Sequence, residues 1–142
     1  MGLLDGKCGL VFGVANHRSY AWHIARALLA EGARCAFSTL PDERMAERTR
    51  DAVARLGVEE PWIVPCDAAR DEDLDRIFDE YGRSFDRLDF IVHSIAFADR
   101  EWLAPDRFAA TPRGAFQQAL DISAYSLVAM ARRGRDRMAA GG

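Results

Sequence analysis

Positive charge is in short supply. Across 142 residues, 19 Lys and Arg stand against 22 Asp and Glu, a formal charge of −3. A dedicated nucleic-acid binder needs a surplus of cations to displace phosphate counterions, so no nucleic-acid partner is expected. The Arg-rich "RRGRDR" near the C-terminus reads as a solvated helix end favoured by the helix dipole. Cysteine is scarce too: Cys8, Cys35 and Cys66 are odd in number, far apart and set among apolar residues. Neither a disulfide framework nor a zinc site follows, and buried thiols in a reducing compartment are the expectation. His17 and His23 have no carboxylate or cysteine at ligand spacing, so no metal is expected. No charged-then-apolar leader opens the chain, and no apolar run approaches the roughly 20 residues of a membrane span. A cytoplasmic protein without a membrane partner is expected. Repeats and linkers are absent, and only the closing "AAGG" is of low complexity.

What is present suffices for a core. Hydrophobic residues make up 49% of the chain, and a single domain over 1–142 is the expectation for this length. Four short apolar runs, Cys8 to Gly13, Ala33 to Ser38, Trp62 to Cys66 and Phe90 to Ile95, show no alternation. Such runs are strands buried on both faces, as in a parallel sheet. Helical stripes lie between them: Ala21, Ile24, Ala25, Leu28 and Leu29, then Met45, Thr49, Ala52, Val53 and Leu56, then Leu74, Ile77, Phe78 and Tyr81. A fourth helix is predicted from about Thr111 to Met138, with Phe116, Leu120, Ser123, Leu127 and Met130 or Ala131 inward. Gly32 and Gly57 read as helix C-caps, Pro41 as a first helical position, and Asp42 and Glu43 as first-turn charges. Strand and helix alternate through four βα units, the order of a doubly wound, Rossmann-like α/β sheet.

The first βα connection, "GVANHRSYAWHIA" from Gly13 to Ala25, is where such a fold holds a pyrophosphate. Its loop has one glycine where G-x-G-x-x-G has three. Gly13 supplies the turn, Ala15 keeps the loop floor small, and Ser19 starts the helix with a hydroxyl able to cap an N–H or reach a phosphate oxygen. A longer loop closed by serine takes the place of the second and third glycines.

Four motifs in order, "GVANHRSYAWHIA", "PCDA" (Pro65 to Ala68), "HSIAFA" (His93 to Ala98) and "DISAYSLVAM" (Asp121 to Met130), resemble the enoyl-acyl carrier protein reductases of bacterial fatty acid synthesis. The match runs from Gly2 to Met138. The resemblance implies NADH as cofactor and an enoyl group on acyl carrier protein as the substrate of the complete enzyme. It implies pyrophosphate at Gly13, Ala15, Ser19 and Tyr20, and adenine at Asp67 and Ala68. Ribose and nicotinamide would lie at Ser94, Ile95 and Ala96, and Phe97, Ala98 and Leu103 would border the acyl pocket. Asp67 is open to a second reading as a cap of the third helix. His93 reads as a satisfied strand histidine, Tyr125 as packed within its helix, and Trp102 as a loop residue.

The chain departs from the family pattern in three places. Ala96 stands where some members have glycine, and apolar Leu40 stands near the expected ribose in place of a polar residue. The tyrosine and lysine of the family's Y-x6-K motif are missing: the chain has one lysine, Lys7, ahead of the first strand. No catalytic residue is therefore assigned. The resemblance would place a fifth strand and the tyrosine-bearing helix after the fourth helix. The domain is thus expected to be C-terminally incomplete, with a free apolar edge on the fourth strand open to self-association. A non-catalytic dinucleotide-binding or interaction module is the alternative.

Overall fold

The computed structural model describes residues 1–142. Its elements are β1 (Cys8–Phe12), α1 (Tyr20–Ala30), β2 (Arg34–Thr39), α2 (Glu43–Ala54), β3 (Ile63–Pro65), α3 (Asp71–Ser84) and β4 (Phe90–His93). Two short 3-10 turns, Arg100–Trp102 and Phe108–Ala110, lead into α4 (Arg113–Leu120), a π-helical turn (Asp121–Tyr125) and α5 (Ser126–Arg135). All strand pairings are parallel, in the order β3-β2-β1-β4. The chain reverses its direction of strand addition between β1 and β4, the place where doubly wound sheets open a ligand crevice.

In β1 and β2 the absence of alternation has the predicted cause, whereas β3 and β4, at the two edges of the sheet, are only partly buried. All of β1 is buried, with Leu10 and Phe12 in one core and Val11 in the other. The first core is completed by Leu74, Ile77, Phe78 and Tyr81 of α3 and by Ala129 and Met130 of α5. The second is completed by Ala21 and Ala25 of α1 and by Ala52 and Val53 of α2. Helices therefore cover both faces of the sheet, and each face excludes water from a continuous apolar layer.

Charge reinforces one of these layers. Arg133 of α5, whose side chain is 9% exposed, reaches Asp75 at 2.7 Å and Asp71 at 3.0 Å, and Arg137 reaches Asp79 at 2.8 Å. The acidic residues recur every four positions along α3, so the arginines meet a single face of it. At the opposite end from the crevice, Asp89 accepts hydrogen bonds from the Cys8 amide, Lys7 Nζ and Arg87 Nε. This clamps the start of β1 to the start of β4.

Several expectations need correction. Asp42, not Pro41, marks the start of α2: its carboxylate accepts from the Met45 amide and caps the helix, and Pro41 lies outside it. Ile24 is exposed, and Trp22 takes its place against the core while its Nε1 donates to the Ala52 carbonyl. Gly32 and Gly57 both adopt positive φ after their helices, as predicted. The fourth helical stripe is misassigned except at Met130, which is buried as expected. Phe116, Leu120 and Leu127 are exposed, whereas Ser126, Ala129, Met130 and Gly134 are buried. Small residues let α5 approach closely: a β-carbon on Gly134 would lie 2.6 Å from the Ile91 side chain. Tyr125 is exposed on the π turn, not packed.

Candidate functional site

A cleft of about 530 Å³ opens at the C-terminal ends of all four strands. Eight of the predicted site residues line it: Gly13, Ala15, Asp67, Ala68, Ser94, Ile95, Ala96 and Phe97. Four do not. Ser19 lies behind the loop, Tyr20 is 84% exposed on α1, and Ala98 and Leu103 stand outside the lining. For two of them the reason is local: Tyr20 points outward from the first helical turn, and Leu103 follows the first 3-10 turn, where it is exposed.

The floor begins at Gly13, where φ is +105°. A β-carbon there would collide with the carbonyl of Ser94. Only glycine allows the ends of β1 and β4 to come this close and the chain to turn away. Ser19 is the N-cap residue of α1, but its side chain makes no cap to the helix. Its Oγ instead accepts from the amides of Ala15 and Asn16, both at 3.1 Å. The expected helix cap is therefore a loop staple. A hydroxyl oxygen has two lone pairs, and both loop amides use them.

A second tie fixes the same loop from beneath. Thr49 of α2, 2% exposed, donates its hydroxyl proton to the Val14 carbonyl at 2.8 Å. Thr39 at the end of β2 contacts Thr49 Oγ1 at 3.2 Å. The Thr49 proton is committed to Val14, so Thr39 is the donor in that second bond. Gly13–Ser19 is thus held at the carbonyl of its second residue and the amides of its third and fourth.

The wall at the end of β3 is built by two aspartates. The Asp67 amide donates to Asp73 Oδ2 at 2.8 Å, and Asp67 Oδ1 accepts from the Ala69 amide at 3.0 Å. Asp67 therefore closes a tight turn within the connection. It does not cap α3, whose N-cap is Arg70. Cys66 also borders the cleft, but burial pushes its thiol up to about 12, which removes it as a nucleophile.

The opposite wall, after β4, is tied to the π turn. Ser123 Oγ accepts from the Phe97 amide at 3.0 Å and lies 3.2 Å from the Phe97 carbonyl, to which it donates. Three residues on, Ser126 donates to the Ile122 carbonyl at 2.7 Å and stands 2.8 Å from His93 Nε2. With its own proton spent on Ile122, Ser126 accepts from His93, which requires a proton on Nε2. His93 is thus a satisfied strand histidine.

Sequence reasoning missed other lining residues: Thr39, Met45, Thr49, Gln118 and Ile122. Thr49 carried a usable signal, a hydroxyl inside an otherwise apolar stripe. No group of three His, Cys, Asp or Glu side chains is placed to hold a metal ion, and no helix is long and apolar enough to cross a membrane.

Residues 13–142 match the family model for enoyl-(acyl carrier protein) reductase. The chain belongs to that family. The NADH-type enoyl-[acyl-carrier-protein] reductase of Neisseria meningitidis serogroup B is 41% identical over 97% of this chain and 52% of its own length. The Bacillus cereus relative is 40% identical over 100% of this chain and 55% of its own length. The chain spans about half the length of the curated relatives it matches. Among solved structures, the Bacillus cereus reductase with NADP+ and indole naphthyridinone superposes with a TM-score of 0.90 at 39% identity, covering 97% of this chain and 53% of that one. The Anaplasma phagocytophilum reductase in complex with NAD gives 0.87 at 37% identity, covering 97% of this chain and 52% of that one. Within this reductase family the sheet, the serine-stapled loop and the β4 wall therefore constitute a Rossmann-like half.

Proposed function

We propose that this chain is the dinucleotide-binding part of an NADH-dependent enoyl-acyl carrier protein reductase. One observation carries the reading: a glycine-floored, serine-stapled loop opens a cleft at the switch point of the sheet, in a chain of the reductase family. The residues fit the group. Gly13 leaves room for close backbone approach, and α1 begins at the loop, presenting first-turn amides and the positive end of its dipole. Gly13 and Ala15 would hold the pyrophosphate together with the backbone amide of Tyr20, whose side chain points away, and Ser19 would act by shaping the loop. Asp67 and Ala68 would hold the adenine, and Ser94, Ile95 and Ala96 the ribose and nicotinamide. Phe97 would border the enoyl substrate presented on acyl carrier protein, with Ala98 and Leu103 outside the cleft lining. Leu40 at the end of β2 offers no charge to a ribose hydroxyl or a 2′-phosphate, so the preference for NADH rests on the relatives.

Bound NADH supplies the hydride for the β-carbon of an enoyl thioester. The thioester oxygen then needs a hydrogen-bond donor, and this chain brings neither a tyrosine nor a lysine to the cleft. Tyr20 and Tyr125 are exposed away from it, and the Tyr81 hydroxyl is spent on the Arg87 carbonyl. Lys7 is engaged with Asp89 at the other end of the sheet. Binding without turnover is the expected behaviour of the 142-residue chain. A calorimetric titration with NADH beside an absorbance assay with crotonyl thioester tests both halves of that statement. Heat without turnover supports the reading, and no heat from folded protein rejects it.

The outer edge of β4 is the second surface in this reading. Only its foot is covered, where Met138 bridges Leu88 and the Ala139 amide donates to the Leu88 carbonyl. Phe90 to His93 have no strand beyond them. That edge is the place for self-association.

A further inference from the structure

We propose that Ser123 is a positioning residue that sets the β4 wall of the cleft by holding the backbone of Phe97 from both sides. The functional part of this inference rests on the dinucleotide reading above. The contact is unusual in that one side chain satisfies both polar groups of another residue's main chain, accepting from its amide at 3.0 Å and donating to its carbonyl at 3.2 Å. The flanking segment has little else to fix it. It follows the last residue of β4, precedes the first 3-10 turn, and Ala96 and Phe97 are both exposed. The amides of Ala96 and Ala98 have no partner of their own.

The π turn is what brings Ser123 to this position. Residues Asp121–Tyr125 form one wide turn between α4 and α5, and such single turns interrupt the regular ladder to redirect side chains, often at functional sites. Here the turn faces two hydroxyls toward one stretch of chain. Ser126 meets His93, the last residue of β4, and Ser123 meets Phe97, four residues later. Ser94, Ile95 and Ala96, all of which line the cleft, are strung between these two anchors. Ser126 is buried, whereas Ser123 is only partly buried and its hydroxyl meets Phe97 alone. The tie to Phe97 can therefore be cut with less damage to the fold than the tie to His93.

Amide hydrogen exchange reads the anchor directly. In the wild-type chain, the Phe97 amide should exchange more slowly than those of Ala96 and Ala98, by about tenfold or more. Ser123→Ala should remove that protection and weaken NADH binding by about five- to tenfold. Ser123→Thr, which keeps the hydroxyl, should restore both. A Phe97 amide that exchanges as fast as its neighbours in wild type overturns the proposal, whatever becomes of the variants. So does unchanged Phe97 protection in folded Ser123→Ala protein. Because exchange is read without cofactor, absence of NADH binding in every variant would reject the dinucleotide reading and leave the anchor itself judged by the Phe97 amide.

Discussion

The carbonyl of Ser94 fills the space that a β-carbon on Gly13 would need. That single approach joins the ends of β1 and β4 beneath the cleft, and Gly13 adds a φ of +105° that side chains rarely accept. Gly13→Ala should lower stability by more than the roughly 1 to 2 kcal/mol of left-handed strain alone, since the Ser94 backbone must also retreat. Urea denaturation of the two proteins measures the difference.

Thr49→Val keeps the shape of the side chain but leaves the buried Val14 carbonyl without its donor and the Thr39 hydroxyl without its acceptor. An unpaired buried group costs about 1 to 3 kcal/mol. The loss of urea stability should fall in that range, with weaker NADH binding because the loop loses its lower tie. Thr49→Ser, which preserves the hydroxyl, should recover binding more fully than stability.

Acid should loosen the base of the sheet. The Arg87 side-chain hydrogen bond, helped by the Cys8 amide and Lys7, pulls the Asp89 carboxyl down to about 2. The folded value lies below the ordinary carboxylate value of about 3.9. Asp89 therefore contributes its full stabilisation above the unfolded value and loses it as pH falls toward about 2. Urea midpoints of wild type should drop between pH 5 and pH 2.5, and Asp89→Asn should flatten part of that drop while being less stable at pH 7. Equal slopes in the two proteins would remove Asp89 as the cause.

The open edge of β4 predicts concentration-dependent association. Sedimentation velocity at tens of micromolar should show species larger than the monomer. Val92→Pro should diminish them, since proline brings no amide to an edge partner. A monomer at all concentrations would show that the edge is adequately protected.

Legibility differed sharply between the sheet and the last helix. β1 and β2 were readable because burial on both faces leaves unbroken apolar runs, β3 and β4 because their runs are unbroken although only partly buried, and α3 because Leu74, Ile77, Phe78 and Tyr81 all turn inward. The α4–α5 region was not, because close approach to the sheet selects Ala129 and Gly134 and leaves Phe116 and Leu127 outside. A rule that sends large apolar residues inward inverts such a helix. At the site, the position of Gly13 was legible from its place after an apolar run. Ser19 was found, but its partners were not: whether a hydroxyl caps its helix or staples the preceding loop depends on the path of the loop, which composition does not specify. Thr49, Gln118 and Ile122 reach the cleft from elements far along the chain, and only the folded topology brings them there.

The central claim, that the stapled loop and cleft bind a dinucleotide, is tested most directly by titrating NADH fluorescence against wild type, Ser19→Asp and His17→Ala, each shown to be folded by circular dichroism. Wild type should bind weakly. Ser19→Asp should weaken binding by about fivefold or more, because a carboxylate there repels a pyrophosphate by about 1 kcal/mol or more even with full solvent screening. His17→Ala should bind as wild type does, since His17 is exposed and its ring meets only Arg55, at 3.1 Å. Folded wild type that binds no NADH, or Ser19→Asp that binds it equally well, would contradict the account.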